Sequence, residues 1–146
     1  MFGRIGVARP AADPGSAARR RLRPVEVWIN PSCSKCRAAV AELEACGISF
    51  EARRYLEQPP SEAELAATLE ALGMDPWELA RTGEAVAARV GLADLPRDAA
   101  TRAEWIRLMA AHPILIQRPI LVAADGTAYV GRDADSLATA IAHERG

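Results

Sequence analysis

Val25-Glu26-Val27-Trp28-Ile29-Asn30-Pro31-Ser32-Cys33-Ser34-Lys35-Cys36-Arg37 is the stretch on which the reading of this chain turns. Its first five residues are mostly β-branched or aromatic, the composition of a short strand. From Ser34 onward the apolar positions Cys36, Ala39, Val40, Leu43 and Cys46 recur at spacings of three and four, one buried face of a helix from Ser34 to Ala45. Cys33 therefore stands where a strand hands over to a helix. A sulfur there faces unpaired backbone N–H groups and the positive end of the helix dipole. Both favour the thiolate, the reactive form in redox and oxyanion chemistry. Lys35 and Arg37 add positive charge nearby.

A bare C-x-x-C is compatible with half of a zinc site, with two inert thiols or with a redox pair. Zinc needs two more ligands at suitable spacing. Cys46, His112 and His143 do not pair in that way, so no metal is expected. Three cysteines do not make a disulfide framework. They suit a reducing cytosol, where such a pair is more often catalytic, and a cytoplasmic location is expected.

Half of the 146 residues are hydrophobic and a quarter charged, as in ordinary globular domains. The net charge of −1 conceals an asymmetry: residues 1–24 hold six arginines against Asp13 alone, leaving the rest at −6. An acidic body argues against nucleic acid as a direct partner. Residues 1–24 read as a flexible basic extension broken by Pro10, Pro14, Gly15 and Pro24, and residues 25–146 as the folded domain. The extension loosely resembles an organelle transit peptide, but no apolar segment of a secretory signal follows its arginines. No stretch approaches the roughly 18 apolar residues of a membrane helix, so no membrane partner is expected.

Beyond the first helix, Gly47 reads as a left-handed cap. Ile48 to Tyr55 reads as a second strand, parallel to the first through a right-handed crossover. Ser61-Glu62-Ala63-Glu64 is a capping box opening a helix to about Leu72. Asp75-Pro76-Trp77-Glu78 starts another, and Glu84 to Val90 a short third. Thr101-Arg102-Ala103-Glu104 caps a fourth, which turns Trp105, Leu108 and Met109 inward and ends at Pro113. Pro119 to Ala123 is a third strand, Asp125-Gly126 a hairpin turn, and Thr127 to Val130 a fourth strand. Asp133 to about His143 is a closing helix with Leu137 and Ile141 inward. This order predicts an α/β thioredoxin-like fold. Its four-stranded mixed sheet would run 2-1-3-4, with strand four antiparallel to strand three and a helical insertion between strands two and three. In this fold a cis proline, a rare feature elsewhere, faces the active cysteine; here it would be Pro119.

Four segments now point to a family. They are Asn30-Pro31-Ser32-Cys33, Tyr55-Leu56-Glu57-Gln58-Pro59-Pro60-Ser61, Arg81-Thr82, and His112-Pro113-Ile114-Leu115-Ile116-Gln117-Arg118-Pro119-Ile120. In order, and over about residues 25–142, the chain resembles the glutaredoxin-type, thiol-dependent arsenate reductases. The resemblance implies an active-site cysteine at Cys33 and oxyanion-binding arginines at Arg81, Arg118 and Arg132, with Ser34 in the same substrate site. The chemistry agrees: an anion beside a thiolate needs compensating cations, and arginine offers a rigid, permanently charged fork. The expected reaction reduces arsenate to arsenite through a Cys33 thiol–arsenate adduct. Either Cys36 or an external thiol would be the second reductant. No bound cofactor is required; the reductant would be glutathione with glutaredoxin, thioredoxin or another low-molecular-weight thiol. The rival readings are a redox-switch regulator of the same fold that contacts RNA polymerase, and a general disulfide reductase without arsenate activity.

The chain departs from the family pattern twice. Ile29 stands where many members have histidine, and Cys36 is a second thiol that the single-cysteine enzymes lack. Blander roles are expected elsewhere. Arg89, Arg97, Arg102 and Arg107 read as solvated, Trp28, Trp77 and Trp105 as core, and His112 as a helix-end residue. His143 reads as needing no role, and Cys46 as a buried, inert thiol.

Overall fold

A computed structural model describes residues 25–132 and 134–145. The basic extension expected over residues 1–24, and Asp133 at the expected start of the last helix, lie outside the described residues. The elements are β1 (Val25–Ile29), α1 (Ser34–Ala45), β2 (Phe50–Arg54), α2 (Glu62–Leu72), α3 (Pro76–Leu79), α4 (Ala85–Arg89), α5 (Arg102–Ala111), β3 (Ile120–Val122), β4 (Ala128–Val130) and α6 (Ala134–Arg145). The sheet order is β2-β1-β3-β4, the thioredoxin-like arrangement expected. β1 runs parallel to β2, with Val25 opposite Phe50 and Ile29 opposite Arg54. It runs antiparallel to β3, with Trp28 opposite Ile120, and β4 returns antiparallel to β3.

Side chains of a strand alternate between faces, and β1 uses both. Val25 and Val27 join Leu43, Leu121, Ala140 and Ile141 on the face covered by α1 and α6. Trp28 joins Tyr55, Leu65, Leu69, Trp105 and Ile120 on the face covered by the helical insertion. A central strand buried on both faces fixes where its C-terminal end, and hence Cys33, must lie.

Local chemistry explains several boundaries. Gly47, at φ 71°, closes α1 in a Schellman motif: its N–H reaches Glu44 O at 3.1 Å and Ile48 N–H reaches Leu43 O at 3.0 Å. Ile48 is thus taken by the helix cap. Tyr55 lies in the turn where Glu57 and Gln58 N–H both donate to Arg54 O. The second strand is therefore shorter at both ends than the expected Ile48–Tyr55. Ser61 caps α2 by accepting from Glu64 N–H at 3.0 Å.

The expected cap at Thr101 is corrected. Asp98 accepts from Thr101 N–H at 3.1 Å, and the Thr101 hydroxyl turns back to Pro96 O. A 3-10 turn over Ala99–Thr101 precedes α5.

The readings of Cys46 and His143 are corrected, while the arginines read as solvated stay near the surface and Trp77 packs against the core. Cys46 is only half-buried, at the end of α1, with its thiol 3.8 Å from Glu42 Oε2. Trp77 is partly buried and meets Trp105 edge-on, ring centroids 6.1 Å apart. Arg102 pairs with Asp75 at 2.7 Å, Arg107 pairs with Glu104, and Arg97 lies 6.0 Å over the Trp105 ring. His143 does have a partner, Asp125 Oδ2 at 2.8 Å, tying α6 to the β3–β4 turn.

Gly131 shows a constraint that sequence reading missed. Its N–H donates to Pro119 O at 2.9 Å, and a Cβ there would sit 2.5 Å from Leu121 Cδ1. Leu121 is 2% exposed and has little room to yield. Gly131→Ala is expected to destabilise the fold by about 1–3 kcal/mol through overpacking, read as a lower midpoint in denaturant. An unchanged midpoint would show that the core absorbs the methyl group.

Candidate active site

Asn30-Pro31-Ser32 folds into a tight turn that delivers Cys33 to the start of α1. The Asn30 side chain accepts from Ser32 N–H at 3.0 Å, and the Asn30 carbonyl from Cys33 N–H at 2.9 Å. Arg37 Nη1 donates to Pro31 O at 3.0 Å, bracing the turn from the helix. Cys33 occupies the N-cap in extended conformation, and no side chain caps the helix there. The first helical N–H groups consequently face the Cys33 sulfur.

Burial alone would raise the Cys33 pKa. The Cys36 N–H, the Arg118 guanidinium, the Lys35 N–H and the Cys36 thiol outweigh it and bring the thiol from 9.0 to about 7. Cys36 goes the opposite way. Burial pushes it up to about 11, against the pull of the Asn30 N–H, and the Cys33 charge pushes it further. The residue is 1% exposed, and its sulfur accepts from Asn30 N–H at 3.4 Å. The pair therefore comprises one accessible thiolate and one covered thiol. Ile29, in place of a histidine, packs into the core beneath α1. Ionisation of Cys33 rests on backbone N–H groups and Arg118.

Arg118 is 9% exposed. Its Nε and Nη1 are buried with no hydrogen-bond partner among the described residues. An unmatched buried donor on a charged group is costly unless something meets it. Burial works against the Arg118 charge, while Cys33 and Tyr55 favour it and raise its pKa. The Arg118–Pro119 peptide bond is cis. Arg132 Nη1 donates to the Arg118 carbonyl at 3.0 Å, so the two arginines are tied together.

Arg81 arrives by a different route. Ala80 and Ile116 form an antiparallel bridge, extended by Arg81 N–H to Leu115 O at 2.6 Å and Gln117 N–H to Leu79 O at 3.1 Å. This strap sets residues 79–81 beside residues 115–117. Tyr55, whose hydroxyl donates to Ile116 O at 3.1 Å, lies within the electrostatic reach of both Arg118 and Arg81. Burial raises its pKa, and the two guanidinium groups oppose the rise. Arg81 and Arg132 then share a cleft of about 400 Å³ with Gly83, Glu84 and Gln117. Arg81 is held by Glu84 Oε2, at 3.0 Å from both Nε and Nη2.

The structure thus brings Cys33, Cys36 and Arg118 together, with Arg81 and Arg132 in an adjoining cleft. Ser34 is exposed at the first position of α1. Sequence reading assigned no role to Tyr55, Gln117 or Glu84. The last could have been suspected from its place three residues after Arg81. Among the described residues no group of three or more histidine, cysteine or acidic side chains could hold a metal ion, and no helix is long and apolar enough to cross a membrane.

A family model described as the ArsC family matches residues 28–140, and the chain belongs to that family. An uncharacterized protein in the glnII region of Streptomyces viridochromogenes is 50% identical over 117 residues, covering 80% of this chain and 98% of that one. An arsenate reductase of Neisseria meningitidis is 36% identical over 116 residues, covering 77% and 94%. Among solved structures, an arsenate reductase from Vibrio cholerae matches with a TM-score of 0.72 at 33% identity, covering 80% and 97%. A putative arsenate reductase from Yersinia pestis matches with a TM-score of 0.70 at 36% identity, covering 79% and 98%.

Proposed function

We propose that this ArsC-family chain reduces arsenate to arsenite at Cys33, with an external thiol as the electron donor. The observation that carries this reading is Arg118: a buried guanidinium, with two unmatched N–H donors, beside a thiol titrating near neutrality. Such a pair suits an anion that approaches the sulfur itself. Arg81 Nη1 has no partner among the described residues, and Arg132 lines the same cleft. Ser34 lies at the helix start, where backbone N–H groups favour anions.

In the proposed reaction the Cys33 thiolate attacks arsenic. One arsenate oxygen leaves as water, taking its protons from the oxyanion and the solvent. A second thiolate then attacks the Cys33 sulfur of the adduct. The S–As bond breaks and its electron pair stays on arsenic, which falls from +5 to +3, while two thiols become one disulfide. Cys36 is covered and held protonated, so the external thiol takes this step. Cys36 acts afterwards: with Cys33 held in the mixed disulfide and the oxyanion gone, no negative charge beside it raises its pKa, and it displaces that thiol. Thiol exchange with glutaredoxin or thioredoxin restores the dithiol, which suits a reducing cytoplasm.

Cys36→Ser is then expected to keep arsenate turnover driven by glutathione and glutaredoxin, because a second external thiol can clear the mixed disulfide. Turnover driven by thioredoxin should fall. A loss with glutathione as deep as that of Cys33→Ser would make Cys36 the obligatory second thiol. The proposed function is tested by arsenite formation from arsenate with glutathione plus glutaredoxin, and with thioredoxin plus its reductase. Arsenite appearing in proportion to disulfide, and only with Cys33 present, supports it. Disulfide exchange without arsenite under either system would leave a general disulfide reductase.

A further inference from the structure

We propose that Glu84 sets the oxyanion selectivity of this site. Its second carboxylate oxygen, Oε1, accepts the O–H of a protonated tetrahedral anion, so that arsenate- and phosphate-like ions enter and sulfate is rejected. This rests on the anion site proposed above and goes beyond it by assigning the discrimination to one side chain.

Among the described residues lining the cleft, Glu84 is the only acid, facing Arg81, Arg132 and Gln117. A carboxylate in an anion cleft is unfavourable by simple Coulomb reasoning, since like charges repel over a few ångströms. Its position is nonetheless fixed from two sides. Glu84 N–H donates to the Arg81 carbonyl at 3.3 Å, and both Arg81 contacts, from Nε and Nη2, fall on Oε2 at 3.0 Å. Oε1 has no hydrogen-bond partner among the described residues. The carboxylate is 28% exposed and its guanidinium partner 25%, against 43% and 54% for the open surface pair of Glu104 and Arg107.

An ionised carboxylate only accepts hydrogen bonds. Arsenate and phosphate keep at least one O–H near neutral pH, and sulfate keeps none. A protonated anion in this cleft can therefore satisfy Arg81 and Arg132 with its charged oxygens and Glu84 Oε1 with its hydroxyl. Sulfate would set a bare oxygen against Oε1. Sites that hydrogen-bond a hydroxyl reject analogues lacking it strongly, because a polar group is left unpaired.

The alternative is that Glu84 merely holds Arg81 in place. Removing the carboxylate would then weaken all tetrahedral anions in proportion. The test is protection of Cys33 from alkylation by phosphate, arsenate and sulfate in the reduced protein, for the wild type, Glu84→Gln and Glu84→Asp. Phosphate and arsenate are expected to protect the wild type at concentrations about tenfold or more below sulfate, the scale of one hydrogen bond to a charged group. Glu84→Gln can donate N–H to a bare oxygen and should bring that ratio close to one. Glu84→Asp keeps the acceptor and should keep the preference. An unchanged ratio in Glu84→Gln, or equal protection of the wild type by sulfate, overturns the assignment while leaving the anion site standing. No protection by any of the three anions would overturn the anion site and the role of Glu84 with it.

Discussion

Cys33→Ser is expected to lower arsenate-dependent thiol oxidation by about 10³-fold or more, the scale seen when a nucleophile that works as part of a unit is removed. A serine hydroxyl does not ionise near neutral pH and cannot form the disulfide that balances arsenic reduction. The same residue predicts a pH profile. Below about 7 the Cys33 thiol is protonated, so its alkylation rate should fall about tenfold per pH unit; above that point it should level off. Cys36, held near 11 and covered, stays protonated across this window. A folded pKa below the unfolded value also means that stability rises with pH from about 7 to about 9, and that the gain is lost as pH falls through 7. Full activity of Cys33→Ser would remove the proposed chemistry from this thiol.

Arg118→Ala is the second large effect. It removes two buried donors with no other partner and a guanidinium charge that favours the Cys33 thiolate. A hydrogen bond to a charged group contributes roughly 1.5–3 kcal/mol, so kcat/KM for arsenate should fall about 100-fold or more. Cys33 alkylation should shift its inflection above 7. Arg118→Lys keeps a charge but loses the planar fork. It should lose about tenfold in kcat/KM while shifting the Cys33 inflection less than alanine does. Wild-type kinetics in both variants would leave Arg118 as a packing residue.

The parts of this molecule legible in its sequence are those whose causes are local. The strand–cysteine–helix junction, the Gly47 cap and the Ser61 cap each depend on residues within a few positions. Sheet order followed from the element order with a C-x-x-C after the first strand, the outline of a thioredoxin-like fold. Misreadings arose where two local signals overlapped. Asp98 stands three residues before Thr101, and the earlier cap took Thr101 as its partner. Ile48 and Tyr55 look like strand residues, yet a helix cap and a turn hold them. The site was half legible. Cys33 and Arg118 stand out beside a helix start and a proline. Glu84 beside Arg81 in the cleft, and Tyr55 against Ile116, depend on the strap between residues 79–81 and 115–117, a contact of high sequence separation. Gly131 carries no positive φ and gives no turn signal; only the packed Leu121 shows why it lacks a side chain.

The most direct test of the account is a single turnover: reduced protein, one equivalent of arsenate and one equivalent of glutathione, quenched with acid and analysed for arsenic species and intact mass. Arsenite and a disulfide at Cys33 are expected, first as the glutathione mixed disulfide and then, as Cys36 displaces the tripeptide, as the 33–36 bridge. Arsenate recovered unchanged, with Cys33 still a free thiol, would contradict it.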